Sequence, residues 1–147
     1  MKAGTFPSQM TVGYPTLVKR VQSIFIDGIF ILLLMFGFSA IIDKTGYDAP
    51  GWLRAVLFLG IWLVYEPVAV SLGCTFGQYI MGLRVRDAAT ETKKINIVLS
   101  IVRFALKLLL GWVSFLTIHT NAQRRAIHDI AGNSVMVELK KPEPEDD

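Results

Sequence analysis

The sequence predicts an all-α membrane protein: a transmembrane helical hairpin, a third membrane-associated amphipathic helix, and a small cytoplasmic β-hairpin or sheet element. Three observations predict it. Of 147 residues, 52% are hydrophobic and 18% are charged, where a soluble domain carries about 25% charged residues. The apolar residues fall into three blocks, with the polar ones crowded between them. The basic residues flank those blocks. A soluble enzyme with one mixed core is excluded, and so is a disordered chain. The formal charge of +3 sits beside apolar blocks, so it reads as membrane orientation and not as a nucleic-acid surface.

Residues 1–17 form an N-terminal arm rich in turn formers, among them Gly4, Pro7, Gly13 and Pro15. Helix begins after Pro15, since proline suits a first helical turn. The first span covers about residues 18–42. About 20 helical residues cross a hydrocarbon core of about 30 Å, and the run Ile29 to Phe36 carries no charge. Lys19 and Arg20 ahead of it imitate a signal peptide. The block is too long for one and holds Asp27, so it reads as a retained span. A turn follows, punctuated by Gly46, Pro50 and Gly51.

The second span covers about residues 52–72, with Trp52 and Tyr65 suited to interfacial belts. Pro67 is expected to kink or end it. Leu83-Arg84-Val85-Arg86 alternates apolar and charged, the period of a half-exposed strand, and Lys93-Lys94-Ile95 is a candidate return strand. The third apolar helix covers about residues 96–118. Asn96, Ser100, Arg103, Lys107, Gly111 and Ser114 recur every three or four residues and form one polar stripe. Ser134 to Leu139 reads as a strand. Residues 139–147 read as a disordered charged tail. The membrane domain is thus 18–138.

Orientation follows from the basic residues. With both hairpin ends inside, the outer loop holds Lys44, with Arg54 just within the next helix. The inner segments hold Lys19, Arg20, Arg84, Arg86, Lys93 and Lys94, a positive-inside pattern. The third block is long enough to cross. If it instead re-enters or lies at the interface, Arg124, Arg125 and Lys140 stay inside, and the strands near 83–86 and 135–137 can pair. A cytoplasmic N-terminus and tail fit this second arrangement. The charges of Arg103 and Lys107 also suit a helix at the headgroups, since at bilayer centre each costs at least about 2.5–3.5 kcal/mol.

Charged residues inside apolar helices are functional candidates by default. Arg20 and Asp27 lie seven residues apart on one face, about 10 Å along the axis. Glu66 stands at the inner end of the second span, near Asp27 in a hairpin. Two neighbouring carboxylates make proton exchange plausible; Arg103 and Lys107 could neutralise them instead. His128-Asp129 resembles a fragment of a catalytic or metal site. No cluster has metal-ligand spacing, and no phosphate loop or nucleophile elbow is present. The expectation is a non-enzyme with no cofactor and no metal. Cys74 stands alone.

The residues resemble the RDD family of bacterial membrane proteins over about residues 14–138. Arg20 falls on the family arginine, Asp27 on the first aspartate and Asp129 on the second. The segment from Gly73 to Asp87, with Thr75, Gly77 and Gly82, resembles the glycine-rich stretch after the second helix. Arg103 fits the arginine of the third block, and Arg125, His128, Asp129, Gly132 and Val135 fit the closing segment. This chain departs at Phe76 and Gln78, where the family has Pro and Lys, and at Asn133-Ser134. The resemblance implies a multi-pass protein of the bacterial inner membrane with a suspected role in transport, since cation/proton antiport is attributed to a member.

Two functions stay open. In the first, Asp27, Glu66 and Asp129 bind a proton or monovalent cation that Arg20 displaces. So few helices cannot enclose a pathway, so this needs a homo-oligomer or another membrane protein. In the second, the chain is a non-transporting accessory or assembly module whose charges are a structural ion-pair network. Lipid is a partner in both, and nucleic acid in neither.

Overall fold

The computed structural model describes residues 11–140. The first ten residues of the N-terminal arm and most of the expected disordered tail lie outside them. Three helical segments are long and apolar enough to cross a membrane: Leu17–Lys44, Gly51–Leu72 and Ile97–His119. The first two are α1 and α2. Pro15 and Thr16 deliver extended backbone into α1. Gly46, at φ +72°, turns the chain after it, and Arg54 closes this end by pairing with Asp43 at 2.5 Å. Pro67 does not end α2, which runs on to Leu72. The Pro67 carbonyl accepts a hydrogen bond from the Ser100 hydroxyl at 2.7 Å, so a neighbouring helix braces the site.

After α2 comes a short helix, α3 (Phe76–Ile80), then strand β2 (Leu83–Asp87). The third apolar block is not one regular helix. An α-helix, α4 (Ile97–Leu110), gives way at Gly111 to a 3-10 segment, Gly111–His119. Gly111 has φ +51°, which interrupts α-helical geometry. Asn96 caps α4, accepting from the Val98 N–H at 3.1 Å. A one-turn helix, α5 (Ile127–Ala131), leads to strand β3 (Ser134–Lys140).

The strand near Leu83–Arg86 and the closing strand pair as expected, antiparallel, with Val85 opposite Met136. The expected return strand at Lys93-Lys94-Ile95 does not form. The strand beside β2 is β3 itself, and the third strand is Thr11–Gly13, here β1, which pairs on the other edge of β3. The arm therefore contributes a strand that composition did not reveal. Val70, Leu83, Val85, Ile95 and Met136 make the apolar core against this sheet. Away from it the helices are bare: Phe25, Leu33, Phe36, Val64 and Leu109 are each more than 60% exposed. Such surfaces belong in lipid or against other helices.

Both ends of the third block meet the same sheet. Ile95, just before it, lies in the core beside Leu83 and Val85. Arg125, just after it, donates from Nε to the Ser134 carbonyl at 2.9 Å, where β3 begins.

Candidate functional site

The six candidate charges separate into two groups. The first is a buried junction around Asp129. Arg20, from the first turn of α1, places Nη1 2.6 Å from Asp129 Oδ2. Arg103, from the middle of α4, places Nε 2.8 Å from Oδ1. The Ala126 N–H donates to Oδ2 at 3.1 Å. All three charged side chains are at most 3% exposed. Arg20 also donates from Nη2 to the Arg124 carbonyl at 2.5 Å; its Nε has no hydrogen-bond partner among the described residues. The junction thus joins α1, α4 and α5 just ahead of β3. Burial works against the Asp129 charge, but Arg103 and Arg20 overcome it and hold the carboxyl below its ordinary range.

His128 completes the junction without a charge. Its Nδ1 is hydrogen bonded to the Ser114 hydroxyl, and the His128 backbone N–H donates to that hydroxyl at 3.2 Å. Burial pushes the imidazole down to about 3; Asp129 opposes this, while Arg103, Lys107 and Arg20 add to it. Ser114, His128 and Asp129 have the residue types of a nucleophile relay. All three are at most 2% exposed, and Asp129 is committed to two arginines. The cluster holds the 3-10 segment to α5.

The second group stands around Asp27, part-way up α1. Asp27 does not reach Arg20. Its Oδ1 accepts from the Tyr65 hydroxyl at 2.9 Å and the Gly77 N–H at 2.8 Å, and its Oδ2 accepts from the Thr75 hydroxyl at 2.6 Å. All three donors are neutral. Glu66 pairs with Lys107 at 2.6 Å, bridging α2 and α4. Asp27, Glu66 and Lys107 line one cavity of about 450 Å³ between α1, α2 and the third block, walled also by Trp62, Phe104, Trp112 and Phe115.

The motif residues have local reasons. A Cβ on Gly77 would overlap the Ser23 carbonyl oxygen of α1, so only glycine lets α3 approach and present its N–H to Asp27. Gly132 makes the matching approach to α4, where a Cβ would lie 3.0 Å from that of Arg103. Gly82, at φ +69°, turns the chain into β2. Gln78 caps α3 with Thr75: its Oε1 accepts from the Thr75 N–H at 3.0 Å, and its own N–H donates to the Thr75 hydroxyl at 3.3 Å. An ammonium could not accept that bond. Sequence reasoning missed Tyr65, Thr75 and Ser114 as partners. For Thr75 the signal existed, because Thr and Gln three apart spell a capping box. Tyr65 and Ser114 depend on packing between elements.

No metal-binding group of three or more His, Cys, Asp or Glu occurs among the described residues. The RDD family model matches residues 14–133. No curated protein and no solved structure matches the chain. With most of its length matched and its three apolar helices in place, the chain belongs to the RDD family of membrane-type proteins.

Proposed function

We propose that this chain is a non-enzymatic membrane assembly module, in which the Arg20–Asp129–Arg103 junction locks a small sheet to an apolar helical hairpin. The observation that carries it is the state of Asp129, which is fully buried between two guanidiniums and a backbone N–H. A carboxylate so held has no access route for an exchanging ion, and breaking such a pair costs about 3–5 kcal/mol. The bare faces of α1 and α2 supply the surface for a second copy or another membrane protein. The position of the third block supports a two-span topology. A crossing helix separates its ends by the membrane thickness, whereas Ile95 and Arg125 both rest on one sheet. This favours a re-entrant or interfacial third block, with both termini on one side. The basic residues support a cytoplasmic assignment for that side, in a bacterial inner membrane.

A second reading keeps proton or monovalent-cation exchange, and the cavity favours it, because Asp27 and Glu66 line an open space. One experiment separates the two. The purified protein is reconstituted in liposomes with an imposed pH gradient, and Na⁺, K⁺ or Li⁺ is added. The assembly reading expects no cation-dependent collapse of the gradient. Collapse by the wild type, lost in Asp27→Asn, would replace it with exchange.

A further inference from the structure

The cavity between α1, α2 and the third block combines the carboxylates of the exchange reading with an aromatic lining that neither reading uses. Its volume is about 450 Å³, within the range of small-molecule sites, which are mostly apolar with a few placed polar groups. Two carboxylates, Asp27 and Glu66, and one ammonium, Lys107, line it. The formal charge of the wall is therefore minus one. Arg20 and Arg103 do not line it and are committed to Asp129. The remaining wall is part aliphatic and part aromatic: Trp62 and Phe104 meet edge to face at 5.9 Å, with Trp112 and Phe115 also lining it. Aromatic faces attract cations, most strongly where water is excluded. Phe25 and Trp112 line the cavity and are each more than 70% exposed, so it opens on the apolar outer surface of the helices.

From this we infer that the cavity is a binding site for a lipophilic monocation, such as an amphiphilic ammonium, which enters from the apolar side. Its charge is matched by Asp27 and Glu66, and its apolar groups rest on the tryptophan and phenylalanine rings. Asp27 is suited to the task because its three present donors are neutral and leave its charge uncompensated. Lys107 competes for Glu66 and limits affinity. An anion would meet two carboxylates and one ammonium already engaged. The inference goes beyond both functional readings, since a bound cation need not cross the membrane.

Two ions of equal shape and opposite charge provide the test. The full chain is placed in phosphatidylcholine nanodiscs, in a Trp52→Phe background that leaves Trp62 and Trp112 as reporters. Tetraphenylphosphonium and tetraphenylborate are titrated by tryptophan quenching and by equilibrium dialysis, against empty nanodiscs. The phosphonium is expected to bind at least about tenfold tighter than the borate. Glu66→Gln and Asp27→Asn should each weaken it by about tenfold, and Lys107→Met should strengthen it. Asp27 also holds α3, so Glu66→Gln decides if Asp27→Asn does not fold. Equal binding of the two ions, binding no greater than that of empty discs, or a folded Glu66→Gln protein with unchanged phosphonium affinity would each overturn the inference.

Discussion

Asp129 and Asp27 are both buried or half-buried aspartates, and each joins α1 to a short helix beside a strand of the sheet. Asp129 is neutralised by two guanidiniums and sealed from solvent. Asp27 is held by two hydroxyls and one backbone N–H, and it borders an open cavity. The difference teaches that the kind of partner decides what a buried carboxylate does. At Asp129 the negative charge is required, because two positive charges are buried with it. At Asp27 the geometry needs only acceptor oxygens, so the charge is left for something else.

Breaking that comparison begins with Asp129→Asn. It leaves Arg20 and Arg103 buried without a counter-charge, and should cost about 3–5 kcal/mol in unfolding experiments in bicelles. The same junction sets the acid sensitivity. Folded His128 stays neutral down to about 3, while the unfolded chain protonates it near 6.5. Between those values the unfolded state binds more protons, so stability is complete above 6.5 and falls as pH drops toward 3. Asp129 acts in the same direction below its ordinary value of 3.8. Melting temperatures should therefore decline steadily on acidification below about pH 6.5. His128→Asn should flatten the upper part of that decline.

Gly77→Ala pushes a methyl group against the Ser23 carbonyl and should cost about 1–3 kcal/mol, with α3 displaced from α1. Asp27→Asn keeps one acceptor oxygen and the side-chain shape. It should cost only about 1–2 kcal/mol, and near-equality with Asp129→Asn would erase the distinction between the two sites. The smallest effect belongs to Arg54→Ala. Its partner Asp43 is 59% exposed, and such pairs contribute at most about 1 kcal/mol.

Much of the architecture was legible in the sequence, for local reasons. Charge-free runs such as Ile29–Phe36 mark a helix by composition, and the alternation at Leu83–Arg86 marks a strand by period. The period of the third block put Ser100, Arg103 and Ser114 on one stripe, but Arg103, expected at the headgroups, is buried against Asp129, and Ser100 and Ser114 are buried with it. What was not legible depends on distant partners. Thr11–Gly13 becomes a strand only because β3 offers it an edge. Lys93-Lys94-Ile95 reaches β2 through the Asp87 N–H to Lys93 carbonyl bond and builds no ladder there, because the strand that pairs with β2 is the distant β3. The left-handed backbone at Gly111 was hidden because glycine permits several conformations and selects none. At the site, the sequence supplied the charges but not their pairing. Seven-residue spacing put Arg20 and Asp27 on one face of α1, whereas the fold carries Asp129 from the far end of the chain to Arg20 and gives Asp27 to α3.

The central claim is that the charge of Asp129 holds the sheet to the helices while that of Asp27 does not. Amide hydrogen exchange in bicelles tests it most directly, comparing Leu83–Asp87 and Ser134–Lys140 in wild type, Asp129→Asn and Asp27→Asn. The account predicts that these strands lose protection in Asp129→Asn and keep it in Asp27→Asn. Sheet protection unchanged by Asp129→Asn would contradict it.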